Sequence, residues 1–256
     1  MQSKAIAPLA INQEAPSPYY PSNDQREQTS SLKHIAVILD GNRRWAQEHG
    51  RPIIAGYRAG GRNVMPFLSW CEGTGIEVVT LWPLSADNLK RSPSEVQALI
   101  TVIQEIMAEL AAARRWRIRL IGQVDLLPAD VVKAVRAAER MTSDVSGLIA
   151  NIALAYDGRA EIVAAVRALM RQRSLESIAV SGITEEDIAK QLATYGQPDP
   201  DLIIRTSGEQ RLSGFLPWQA AYSEIFFCPT YWPDFRKAEF DRALKWYSTR
   251  CRRFGR

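Results

Sequence analysis

Apolar residues along the chain follow two rhythms. Short, dense runs read as strands: Ile35 to Leu39, Ile76 to Trp82, Arg117 to Ile121, Leu148 to Ala153, Leu202 to Ile204 and Ile225 to Phe227. The first run carries no polar interruption, which predicts a strand buried on both faces. Between the strands the apolar positions recur at helical spacing. The segment Gly56 to Gly61 opens one helix, which carries Val64, Phe67, Leu68 and Cys71 and closes at Gly73 and Gly75. A long one runs from 93 to about 114 with Val96, Leu99, Ile100, Ile103, Ile106, Met107 and Leu110 on one face. Its start, Ser92-Pro93-Ser94-Glu95, reads as a capping box with proline at the first helical position. Further helices are predicted over 129–142, 160–173, 184–194 and 236–252. This alternation predicts an α/β fold: a single domain with a central six-stranded, mainly parallel sheet flanked by helices. Residues 1–33, with Pro16, Pro18 and Pro21 close together, read as a flexible N-terminal extension, leaving 34–256 as the folded domain.

The 256 residues are 46% hydrophobic, enough for a sizeable core. Net charge is +4, an excess that suits an anionic small substrate or peripheral contact with a membrane surface. Nucleic acid is disfavoured because the basic residues gather at strand ends and lack an aromatic stacking platform. Cys71, Cys228 and Cys251 are odd in number and show no CxxC spacing. They predict a reducing compartment, hence the cytoplasm, without a disulfide framework or zinc site. The two histidines are His34 and His49, so a histidine base would have to be His34. No apolar run approaches the length of a membrane span, and no signal peptide is visible.

The chemistry collects where strands end. Asp40-Gly41-Asn42 terminates the first strand, and Arg43-Arg44-Trp45-Ala46-Gln47-Glu48 begins a helix that Gly50 and Pro52 close. Ligands of open α/β sheets bind at such carboxyl ends. The turn's N–H groups favour an anion, and an arginine adds a bidentate phosphate contact. Asp40 would repel a bare phosphate, which points to a bridging Mg²⁺. A helix cap followed by a solvated basic turn is the plainer reading of Asp40 alone; the whole run favours a metal–diphosphate site. The second strand ends in Ser85 to Arg91, and the fifth in Arg205 to Ser213, with Glu224 just before the sixth. Together these ends supply at least five guanidinium groups, which suits two diphosphates. The motifs GxxxxGK[ST], GxGxxG after a strand and DDxxD are absent.

Taken in order, Asp40 to Ala46, Ser85 to Asn88, Arg205 to Ser213, Phe215 to Glu224, Trp232 to Phe235 and Arg253 to Gly255 resemble the signatures of the cis-prenyltransferases, the undecaprenyl diphosphate synthase family. The resemblance covers residues 34–256 and implies a Mg²⁺-dependent homodimer. It would condense isopentenyl diphosphate with a short allylic diphosphate. By the same resemblance, Asp40 would hold the metal with help from Glu224, and Gly41, Asn42, Arg43 and Arg44 would cradle the allylic diphosphate. Arg205, Arg211 and Ser213 would hold isopentenyl diphosphate, with Arg253 and Gly255 arriving from the partner subunit. Asn88, with Ser85, would lie near the reacting atoms; Trp45, Tyr57, Leu89 and Arg91 complete the substrate-binding set. Tyr57 stands where the family often has histidine, Leu89 where long-chain members have tryptophan, and Ile53 where a phosphate-binding arginine is expected. Tyr57, the Asn88-Leu89 pairing and the ending Arg253-Phe254-Gly255-Arg256 together look like the short-chain actinobacterial (2Z,6E)-farnesyl diphosphate synthases, which implies geranyl diphosphate as starter. The alternatives are a medium- or long-chain polyprenyl synthase and a non-catalytic partner subunit; against the latter, Asp40, Arg44, Arg205, Arg211 and Glu224 are all kept. The growing tail is expected between the second strand and the long helix, meeting Pro83 and Leu84 first or, failing them, Ile103 or Met107.

Overall fold

A computed structural model describes residues 32–175 and 182–250. The predicted N-terminal extension therefore lies outside the described residues apart from Leu32 and Lys33.

Strand β1 (His34–Ile38) is buried along its whole length. It pairs with β2 (Val78–Trp82) on one side and β5 (Leu202–Arg205) on the other. With β3 (Arg117–Ile121), β4 (Ile149–Ala153) and β6 (Glu224–Phe227), the sheet runs β3-β4-β2-β1-β5-β6, and every pair is parallel. From β1 the chain adds β2, places β3 at the edge and inserts β4 between them, then returns to add β5 and β6 on the other side of β1. The order therefore reverses beside β1, and the crevice above a reversal is where α/β sheets take ligands.

The helices are α1 (Asn42–Glu48), α2 (Ile53–Gly61), α3 (Val64–Gly73), α4 (Pro93–Ala113), α5 (Ala129–Met141), α6 (Gly158–Leu175), α7 (Glu185–Ala189) and α8 (Lys237–Ser248). The helix expected after Gly56 is thus two. Asn63 lies at the break, and its Nδ2 donates to the carbonyls of Trp232 (2.6 Å) and Pro233 (3.1 Å), tying the bend to the loop before α8. α7 is shorter than its apolar pattern suggested. A turn follows it, where the Ala193 N–H is taken by the Glu161 carboxylate at 3.1 Å. α4 is long and apolar enough to cross a membrane by length and composition, contrary to the sequence expectation. Its apolar side instead packs into the main core, beside Phe67, which sits edge-on to Trp232, Phe235 and Phe240.

A polar thread crosses the sheet from the first residue of β1 to the middle of β2 and β4. His34 Nδ1–H faces the Pro198 carbonyl at 2.7 Å, and Nε2 meets Thr80 Oγ1 at 2.8 Å. Asn151 Nδ2 donates to Thr80 Oγ1 and to Gln197. The carbonyl requires a protonated Nδ1, so Nε2 accepts from the threonine hydroxyl. Burial lowers the His34 pKa to about 4, keeping the ring neutral. His34 is therefore a sheet-holding residue at the end opposite the crevice, not a base.

Candidate active site

Asp40 sits one residue beyond Leu39, where β1 has ended, and its backbone is fixed from three sides. Its N–H donates to Thr206 Oγ1 (2.9 Å), while its carbonyl accepts from Thr206 Oγ1 (2.7 Å) and the Trp232 N–H (2.9 Å). Gly41 follows at φ +104°, and a Cβ there would lie 2.6 Å from the Tyr231 ring, so this turn requires glycine. The Asp40 carboxylate accepts from the Gly41 N–H (2.7 Å), from Arg205 across the β1–β5 boundary (2.8 Å) and from Arg44 (3.4 Å). Burial pushes its pKa up, but Arg205 and Arg44 outweigh burial and hold it below the ordinary carboxylate value.

Arg205 is nearly buried, with its other arm on Ser213 Oγ (2.8 Å) and the Arg211 carbonyl. Arg44 spans Ser207 Oγ (2.6 Å) and Glu209 (3.2 Å), and Arg211 pairs with Glu209. The loop that delivers these groups has Ser207 at φ +80° and Ser213 at φ +53°. Left-handed non-glycine residues cost on the order of 1–2 kcal/mol each, strain typical of binding loops.

A cleft of about 660 Å³ opens over these residues. It brings together Asp40, Gly41, Asn42, Arg43, Arg44, Tyr57, Ser85, Asn88, Arg91, Arg205, Arg211 and Ser213 of the candidate residues in its lining. Ser85 and Asn88 cap each other reciprocally, both at 3.1 Å, leaving the Asn88 Nδ2 as its remaining donor. Tyr156 and Asp157 enter the lining because a bridge from Ser85 to Tyr156 extends the β2–β4 pairing past the strands.

Five predicted residues fall elsewhere or outside. Trp45 lies off the cleft, stacked on His49 with ring centroids 4.2 Å apart. Leu89 packs against the main core. Glu224 is level with Leu202 at the start of β6. In an all-parallel sheet that is the end opposite Asp40, and its carboxylate pairs with Arg250 instead (3.5 Å). It is not a metal partner of Asp40 within this subunit. Arg253 and Gly255 lie outside the described residues.

The sequence reading also missed a residue. Glu95 does not complete a capping box, since the Ser92 side chain makes no cap bond. Its carboxylate, nearly buried, accepts from Tyr57 (2.8 Å) and Arg91 (3.0 Å) and pairs with Arg43 (3.2 Å). A glutamate at the third helical position is what a capping box needs, so no local signal distinguished the two roles.

Beneath the cleft lies a smaller apolar chamber of about 60 Å³. Gly60 and Gly61 of α2 form one wall; Leu99, Val102, Ile103, Ile106, Met107 and Leu110 of α4 form the other. Leu81 and Pro83 face it at strand spacing, while Leu84 is buried in the core without lining it. Pro83 is thus at the chamber as expected and Leu84 is not. Leu39, Asn42, Tyr57, Pro83 and Leu99 line both cavities and form the neck between them.

No cluster of three or more His, Cys, Asp or Glu side chains able to hold a metal occurs among the described residues. A metal cage made of protein alone is therefore not built here. One fixed carboxylate facing a cationic cleft does fit Mg²⁺, which typically takes one or two carboxylates and completes its shell with phosphate oxygens and water.

Residues 38–255 match the model of the undecaprenyl diphosphate synthase family. A (2Z,6E)-farnesyl diphosphate synthase of Thermobifida fusca is 48% identical over 228 residues, covering 87% of this chain and 89% of that one. A short-chain Z-isoprenyl diphosphate synthase of Mycobacterium leprae is 47% identical, covering 88% of each. The crystal structure of lavandulyl diphosphate synthase from Lavandula x intermedia, in complex with dimethylallyl diphosphate, superposes with a TM-score of 0.85 at 32% identity, covering 88% of this chain and 99% of that one. The all-parallel sheet with its cleft at the β1–β5 reversal, and relatives of nearly half identity along most of their length, lead to one conclusion: this chain belongs to the undecaprenyl diphosphate synthase family of cis-prenyltransferases.

Proposed function

We propose that this chain condenses isopentenyl diphosphate with a short allylic diphosphate, geranyl diphosphate as starter, to give a short Z-prenyl diphosphate such as (2Z,6E)-farnesyl diphosphate. The observation that carries the reading is a polar cleft with five guanidinium groups joined through a neck to a small apolar chamber. The cleft matches a charged head and the chamber an apolar tail in the character of their linings.

In this reading Arg43, Arg44, Gly41 and Asn42 hold the allylic diphosphate, and Arg205, Arg211 and Ser213 hold isopentenyl diphosphate. The C1–O bond of the allylic substrate breaks, C4 of isopentenyl diphosphate bonds to C1, and a proton leaves C2. The products are the lengthened diphosphate, free diphosphate and that proton. Mg²⁺ held by Asp40 and phosphate oxygens would neutralise charge on the leaving group. The arginines supply the same stabilisation, preorganised by the carboxylates that hold them before substrate arrives. Neither Asn88 nor Ser85 is a base near neutral pH, so both orient; the strongest proton acceptor in the cleft is the departing diphosphate. We further propose a cytoplasmic homodimer in which the segment around Arg253 and Gly255 serves the partner's cleft.

The test is product chromatography with labelled isopentenyl diphosphate and a panel of allylic starters in the presence of Mg²⁺. A fifteen-carbon Z product from geranyl diphosphate is expected. Long polyprenyl products would replace the short-chain reading, and no product from any starter would leave a non-catalytic subunit.

A further inference from the structure

The chamber is small because its walls are drawn together. Gly61 of α2 is so close to α4 that a Cβ there would meet Ile106 at 3.0 Å. A longer tail therefore needs α2 and α4 to part. Two polar contacts oppose that movement. One is an exposed pair outside the chamber, Arg58 with Glu105 (2.7 Å). The other stands in the neck: the Tyr57 hydroxyl of α2 donates to Glu95 in the first turn of α4 (2.8 Å), and Arg91 donates to the same hydroxyl (3.0 Å). Exposed pairs such as the first are screened by solvent and hold weakly. The second is buried and charge-assisted, the stronger class of hydrogen bond.

We propose that the Tyr57–Glu95 bond is a clasp across the neck that sets tail selectivity, admitting a short allylic tail and excluding longer ones. The inference rests on the proposed prenyl transfer and adds to it a specificity-determining residue, Tyr57, with Glu95 as its positioning partner. The phenol suits the task. Burial and the hydrogen bond to Glu95 push its pKa up to about 12, so it remains a donor throughout the neutral range. Glu95 also pairs with Arg43 and Arg91, both in the cleft lining. The clasp is therefore anchored to groups that face the diphosphate head.

The experiment compares geranyl and farnesyl diphosphate as starters, by kcat/KM and by product length, in wild type, Tyr57→Phe, Glu95→Gln and Glu105→Ala. Calorimetry of each allylic diphosphate alone, with melting temperatures, accompanies the kinetics. Tyr57→Phe keeps the ring and removes the clasp. It should raise the farnesyl-to-geranyl ratio about tenfold, in kcat/KM and in affinity alike, and lengthen the products. Glu95→Gln, a weaker acceptor, should move the ratio in the same direction by less. Glu105→Ala should leave it within about twofold. An unchanged ratio in the two neck variants overturns the clasp, as does an equal shift from Glu105→Ala, which would mean general loosening. If wild type makes no product, the reading of activity fails, while the affinity ratios still decide the clasp.

Discussion

Asp40 stays charged against the pull of burial because two guanidinium groups face it. Since its pKa is lowered on folding, its contribution to stability is present above the unfolded value and is lost as pH falls through the folded one. Asp40→Asn keeps the shape but gives up the ion pair with Arg205. We expect turnover to fall by about three orders of magnitude, on the order of 4 kcal/mol in the barrier. The fold should survive, with its acid transition below about pH 4 flattened relative to wild type; kinetics and pH-dependent melting check both. The two arginines of the 205–213 loop separate in the same way. Arg211 is mostly exposed, so Arg211→Lys should raise KM for isopentenyl diphosphate by about tenfold and leave the melting temperature unchanged. Arg205 bridges Asp40 and Ser213 from a buried position, so Arg205→Lys should lower stability as well as activity. Strand-end residues such as Asp40 and Arg205 were legible because the signal is local: a buried run followed by turn residues and charge. Glu95 was not, because its sequence position already had a sufficient structural use. Glu224 was misplaced because a sequence does not give register, and one parallel ladder moved it to the far end of the sheet.

Among the elements, α4 is both a core helix and the chamber wall, and periodicity alone could not separate those roles. Residues on its chamber side should govern product length. Met107→Ala or Ile103→Ala deepens the space and should shift products one isoprene unit longer from geranyl diphosphate. Leu84→Ala should cost about 2–4 kcal/mol of stability and leave the product profile alone, since Leu84 packs beside the chamber rather than lining it. Longer products from Leu84→Ala, with none from the α4 variants, would move the floor back to the strand. The division of the expected 56–73 helix into α2 and α3 was also beyond the sequence. The bend depends on Asn63 meeting carbonyls some 170 residues away, contacts that no local pattern encodes.

For the molecule as a whole, the sheet keeps two polar systems apart: charge and cleft at the carboxyl ends, and a thread that runs from the start of β1 into the middle of β2 and β4. The thread makes stability depend on pH. His34 titrates near 6.5 when unfolded and at about 4 when folded, so acid favours the unfolded chain across that window. The effect is on the order of 3 kcal/mol at the low end. Asp199 opposes it in part: burial and the neighbouring Asp201 raise its pKa to about 6, which adds stability below that pH. The His34 ring should therefore show no titration by NMR between about pH 7 and 5.

The ion pair between Asp40 and Arg205 joins residues 165 apart in sequence. A ribosome delivers β1 long before it delivers the strand that covers its second edge. Until residue 202 has emerged, the run His34–Ile38 presents an unpaired apolar edge, the kind of surface that recruits other chains. The same strand, β5, completes the crevice and covers that edge. A chain truncated after Gly196 should therefore form its first four strands, bind no diphosphate, and sediment as aggregates on ultracentrifugation under conditions in which the full chain stays dispersed.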